Sequence, residues 1–109
     1  MTDAEFDALA GTTLQRLEQA LDSCDADLDY EVQPGGVLEL EFADGSKIIV
    51  NRHGSAREIW VAARSGGFHY RPEGSGEALR WVNTRDGEEL FAALSRLASQ
   101  QAGEPITLG

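Results

Sequence analysis

The spacing of apolar positions changes twice along this chain. From Phe6 they recur at three- and four-residue steps through Leu9, Ala10, Leu14, Leu17 and Leu21, which is one face of an amphipathic helix. Thr2 and Glu5 stand ahead of them as a capping box, so a helix is predicted over about residues 3–23. From Leu28 the period drops to two. Leu28, Tyr30 and Val32 alternate with Asp27, Asp29 and Glu31, and Leu38, Leu40 and Phe42 alternate with Glu39 and Glu41. Asp44-Gly45 is a hairpin signal leading into a strand over Lys47–Asn51. Further strands are predicted at Glu58–Ala63, at Phe68–Arg71 after a turn at Gly66-Gly67, and at Ala78–Asn83. The helical step then returns in Leu90, Phe91, Leu94, Leu97 and Ala98. That helix opens at Asp86-x-x-Glu89 and is stopped by Gly103 and Pro105.

Short turns between the strands imply an antiparallel meander, because parallel neighbours need long crossovers. Two amphipathic helices can cover only one side of such a sheet. The expected fold class is therefore α+β: a two-layer α/β sandwich with two helices packed on one face of an antiparallel sheet of about six strands. One domain is expected over residues 1–109. The other sheet face is left to solvent. With Ile59 and Val61 directed at the helices, Trp60 stands on that open face.

Composition narrows the class. Hydrophobic residues make up 41% and charged residues 26%, too apolar for a disordered chain. No apolar run reaches the ~20 residues of a membrane span, and Met1-Thr2-Asp3-Ala4-Glu5 is acidic where a signal peptide is basic. The single Cys24 excludes an internal disulfide and a thiolate metal cage, which suits a reducing, cytoplasmic setting. By helical spacing Cys24 falls on the apolar side, as a packing residue. The net charge of −10 disfavours nucleic acid and anionic membranes and favours cations or a basic protein surface.

That charge is concentrated. Residues 1–31 hold nine acids against Arg16 alone, for −8 of the −10. Glu18 and Asp22 fall beside the apolar stripe of the first helix, at its border with the next strand. Asp25 lies in the connection, and Asp27, Asp29 and Glu31 share one face of the strand that follows, so six carboxylates line a ridge. Local stability opposes this pattern: Glu18 and Asp22 repel at i,i+4, and Asp22 sits at the negative end of a helix. Repeated rule-breaking in one place marks a candidate site. A bland role is also available, since charge on an edge strand discourages aggregation. Oxygen-only ligands suit hard cations such as iron, held weakly and with loose geometry. His53 and His69 have no spacing that pairs them, and no catalytic or phosphate-binding motif occurs.

Taken in order, certain blocks closely resemble the bacterial frataxin family of the CyaY type. They are the alternating acids of Asp22–Asp29, Gly35-Gly36-Val37-Leu38, Asp44–Arg52, Ile59-Trp60-Val61-Ala62, Gly66–Tyr70 and Ser99–Gly103. The resemblance covers essentially the whole chain. It implies an α/β sandwich that binds ferrous or ferric iron weakly through an acidic ridge. It also implies binding to the cysteine desulfurase of iron–sulfur cluster assembly, whose rate bacterial members modulate. Position by position, Glu18, Asp22, Asp25, Asp27, Asp29 and Glu31 are the implied ridge, and Asn51 and Trp60 match sheet-face positions used for partner contact. The chain departs from its relatives where they often double the acids, with Glu18-Gln19 and Asp22-Ser23 here, and in Pro34 before the glycine pair.

The expectation is a non-enzymatic, iron-binding regulator of cluster assembly, monomeric without iron. The alternatives are a ferroxidase that stores iron in oligomers and an acidic adaptor with no iron role.

Overall fold

A computed structural model describes residues 1–109. Its elements are α1 (Asp3–Asp22), β1 (Leu28–Gln33), β2 (Val37–Phe42), β3 (Lys47–His53), β4 (Glu58–Ala63), β5 (Gly66–Glu73), β6 (Arg80–Asn83) and α2 (Leu90–Ala102). The strands form one antiparallel sheet in the order β1-β2-β3-β4-β5-β6, so the meander and the two-helix layer are as the spacing predicts.

Alternation sorts each strand. Leu38, Leu40 and Phe42 on β2, Ile48 and Val50 on β3, Ile59 and Val61 on β4 and Tyr70 on β5 are all buried. They join Phe6, Ala10, Leu17 and Leu21 of α1 and Leu90, Phe91, Leu94 and Leu97 of α2 in one core. Trp81 of β6 packs edge-on against Phe6, with ring centroids 5.9 Å apart. Its indole N–H donates to Thr13 Oγ1 at 2.8 Å, which gives the buried nitrogen the partner it requires.

The predicted capping box at α1 is present: Thr2 Oγ1 accepts from the Glu5 N–H, and Glu5 Oε1 from the Thr2 N–H. Three local predictions are corrected. Glu89, not Asp86, caps α2: its carboxylate accepts from the N–H groups of Phe91 and Ala92, whereas Asp86 closes a turn onto Glu88 N–H. Gly66 and Gly67 belong to β5 and not to the turn, which Arg64 and Ser65 make by themselves. The last strand begins at Arg80, because Gly76–Ala78 form a 3-10 turn.

Beyond Gly103, in the left-handed conformation at φ 71°, the chain folds back along α2. The Ile106 and Leu108 N–H groups donate to Ser99 Oγ and Ser95 Oγ, each at 2.8 Å. Both aliphatic side chains enter the core.

Candidate functional site

β1 is an edge strand of the sheet, and its register divides the acids. Leu28 lies opposite Phe42 and Tyr30 opposite Leu40, so those side chains point toward the helices. Asp29 and Glu31 therefore point to the open face, opposite Glu41 and Glu39. Glu18 and Asp22 lie on the helix side, where the Tyr30 hydroxyl donates to Asp22 Oδ1. Asp25 lies in the connection between the two, and so does Asp27, expected on the strand face with Asp29 and Glu31, because β1 begins only at Leu28. The ridge thus wraps the β1 edge, two acids above it, two before it and two below.

That hydrogen bond to Asp22, with partial burial and the charges of Asp22 and Glu18, holds the Tyr30 phenol above its ordinary pKa. Asp22 consequently has a structural partner that helical spacing alone did not reveal. Glu18 is half-buried and the other five ridge acids are exposed.

None of the six takes part in a salt bridge, whereas eight of the other thirteen acids do. Asp3, Asp7, Asp44 and Glu88 have arginine partners, and Glu39 and Glu41 share Lys47 at 3.4 and 3.8 Å. The ridge is left without a cation of its own. Its carboxylates do not converge either, for nowhere do three Asp, Glu, His or Cys side chains form a metal-holding group. One or two carboxylates with water completing the shell is the coordination this surface offers, a fit for a weakly held hard cation.

Glu39 and Glu41 were not among the expected site residues, yet they continue the acidic surface across the open face. Their alternation with Leu38 and Leu40 was visible in the sequence. Their alignment with Glu31 and Asp29 required the strand register.

The second expected feature lies further along the open face. Trp60 on β4 is half-buried, as are Asn51 directly opposite it on β3 and His53 beyond. The burial of Trp60 comes from imidazoles and not from the core. His53 stacks on the indole at a centroid distance of 3.8 Å and 13° between planes, and His69 of β5 stacks at 4.4 Å and 8°. The two histidines, read from sequence as isolated, are thus brought together by Trp60. Pairing across strands joins residues that chain spacing keeps apart. The indole N–H donates to Glu58 Oε1 at 2.8 Å, and that same oxygen lies 3.6 Å from His69 Nδ1.

A family model described as a frataxin-like domain matches residues 1–104. The iron-sulfur cluster assembly protein CyaY of Dechloromonas aromatica is 63% identical over 108 residues, covering 99% of each chain. The protein of the same name from Cupriavidus pinatubonensis is 50% identical over 113 residues, covering 100% of this chain and 97% of its own. A solved frataxin from Psychromonas ingrahamii, studied as a model of stability modulation within the CyaY family, superposes with a TM-score of 0.85 at 33% identity. It covers 98% of this chain and 97% of its own. With the sheet order and helix layer described above, these matches show that the chain belongs to the frataxin-like family.

Proposed function

We propose that this protein serves iron–sulfur cluster assembly as an iron-binding regulator, acting by binding and not by catalysis. The ridge of Glu18, Asp22, Asp25, Asp27, Asp29 and Glu31 carries iron weakly and attracts the basic surface of a cysteine desulfurase. Asn51 and Trp60 supply contact on the open face. The names of the relatives support the assembly role. One observation carries the rest: these six carboxylates are unpaired in a molecule that pairs most of its other acids. Uncompensated like charge costs stability, and an incoming cation or basic surface relieves that cost. The setting is cytoplasmic, and the iron-free protein is a monomer.

Titration with Fe(II), followed by amide spectra, tests the iron role. Residues between Glu18 and Glu31 are expected to shift first and in fast exchange. Changes starting at His53 or His69 would overturn it. Oxygen consumption measured in the same titration, beside binding to the desulfurase, separates a regulator from a ferroxidase.

A further inference from the structure

Two Asp-Gly steps stand in exposed turns, Asp44-Gly45 between β2 and β3 and Asp86-Gly87 between β6 and α2. An aspartyl side chain ahead of glycine is open to attack by its own main chain, because no Cβ on the next residue obstructs the approach. The two steps are matched in their nucleophile. Both glycines are left-handed, at φ 84° and 77°. Both N–H groups make turn hydrogen bonds of 2.9 Å, Gly45 to the Phe42 carbonyl and Gly87 to the Asn83 carbonyl.

They differ in the carboxyl group. Asp44 is held at both oxygens: Oδ1 accepts from the Ser46 hydroxyl at 2.6 Å and the Ser46 N–H at 2.9 Å, and Oδ2 from the Arg64 guanidinium at 2.9 Å. These donors, Ser46 first and Arg64 after it, keep its carboxyl below the usual carboxylate range. Bonds made to the charged form make the neutral acid scarce, and the neutral acid is the form that loses water. Asp86 has a single contact, from the Glu88 N–H to Oδ1 at 2.9 Å, and no salt bridge.

We propose that Asp86, and not Asp44, is a site of spontaneous covalent modification, the isomerisation of aspartate to isoaspartate. The Gly87 nitrogen attacks Asp86 Cγ, its proton leaves with the carboxyl hydroxyl as water, and a succinimide ring closes. Water then reopens the ring. Addition at the former main-chain carbonyl breaks that carbon's bond to nitrogen, so the chain runs through Cγ and the α-carboxylate hangs free. Atoms, electrons and net charge are those of the original residue, with one carbon more in the main chain. That carbon falls inside a tight loop, closed by the Asn83 N–H on the Glu88 carbonyl at 2.8 Å. Glu88 holds Arg96 at 2.8 Å and Glu89 caps α2, so the lengthened loop loosens the start of that helix.

The native protein, held for weeks at physiological temperature and pH, provides the test. It is probed with an isoaspartyl methyltransferase and S-adenosylmethionine bearing a labelled methyl group, and the labelled peptides are identified after digestion. Label is expected around Asp86 in severalfold excess over Asp44. Asp86→Glu, whose longer side chain closes no five-membered ring, should lose that label and keep its melting temperature on storage, while the wild type's falls. Equal label at the two sites, or none at Asp86, overturns the proposal. Ser46→Ala with Arg64→Gln frees Asp44 and should raise its label toward that of Asp86, and Ser46→Ala alone serves should the pair not fold. A folded variant with Asp44 still unlabelled overturns the account of its protection.

Discussion

The Tyr70 hydroxyl is buried without a hydrogen-bond partner, Asn83 being close but outside bonding geometry. Burial, with the charge of Glu88 nearby, pushes its pKa up to about 12. Below pH 10 both folded and unfolded chains keep this proton. Between pH 10 and 12 only the folded chain does, so stability falls as pH rises through that window, by up to ~2 kcal/mol. Tyr70→Phe should be within about 1 kcal/mol of wild type at pH 7 and lose less stability in alkali, as denaturant melts at pH 7 and 11 would register. An equal alkaline loss in both proteins would place its cause elsewhere. Asp22 and Glu18 make a sharper pair. Glu18→Lys removes a like-charge contact and should stabilise by a few tenths of a kcal/mol. Asp22→Lys suits the helix end but forfeits the hydrogen bond from Tyr30, so it should gain nothing. Thermal melts at low salt separate the two. The sequence exposes the repulsion in full and the tyrosine contact not at all, because Tyr30 and Asp22 meet only when α1 packs beside β1.

At the scale of elements, the two ends of α2 are held by different means. Glu89 caps the start, so Glu89→Ala should cost about 1 kcal/mol and Asp86→Ala distinctly less. At the other end the buried Gln101 accepts from the Arg64 N–H at 3.1 Å and donates to Ser46 Oγ and to the Lys47 carbonyl at 3.0 and 3.2 Å. One side chain thereby ties the helix to two hairpin turns. Gln101→Ala removes the side-chain partner of the part-buried Arg64 N–H and Lys47 carbonyl, for a loss of about 1 kcal/mol in denaturant unfolding. Strands β1 to β4 were legible to within two residues because half-buried strands show their period directly. The start of α2 was misplaced because Asp86 and Glu89 both have capping chemistry, and only the backbone after Glu89 is helical. The return of Ile106 and Leu108 along α2 was not legible, since the four residues after Pro105 carry no period.

Over the whole molecule, the two surfaces proposed for function are an edge and a face, expected from the sequence as lists of residues, Glu18 to Glu31 on one side and Asn51 with Trp60 on the other. Their internal geometry was not, because register decides which acids face which way and which histidines meet the indole. The separation predicts separable kinetics. Reversing Asp25 and Asp27 should slow association with the machinery, and the deficit should shrink in salt, whose screening length is ~10 Å at 0.1 M. Trp60→Ala should act on dissociation and leave the fold intact, because the ring lies outside the core. The β1 edge also bears on how many copies travel together. β1 leaves one row of main-chain groups unpaired, and Val32, 55% exposed, offers an apolar foothold beside them. Two such strands approaching each other bring two ridges into collision, so the charge of the proposed cation site also opposes pairing of these edges. If that ridge takes up cations in number, they cancel the charge, and particle size is then expected to follow metal load. Light scattering during an Fe(II) titration should record growth in the wild type and little in Val32→Lys, whose added cation keeps the strand single.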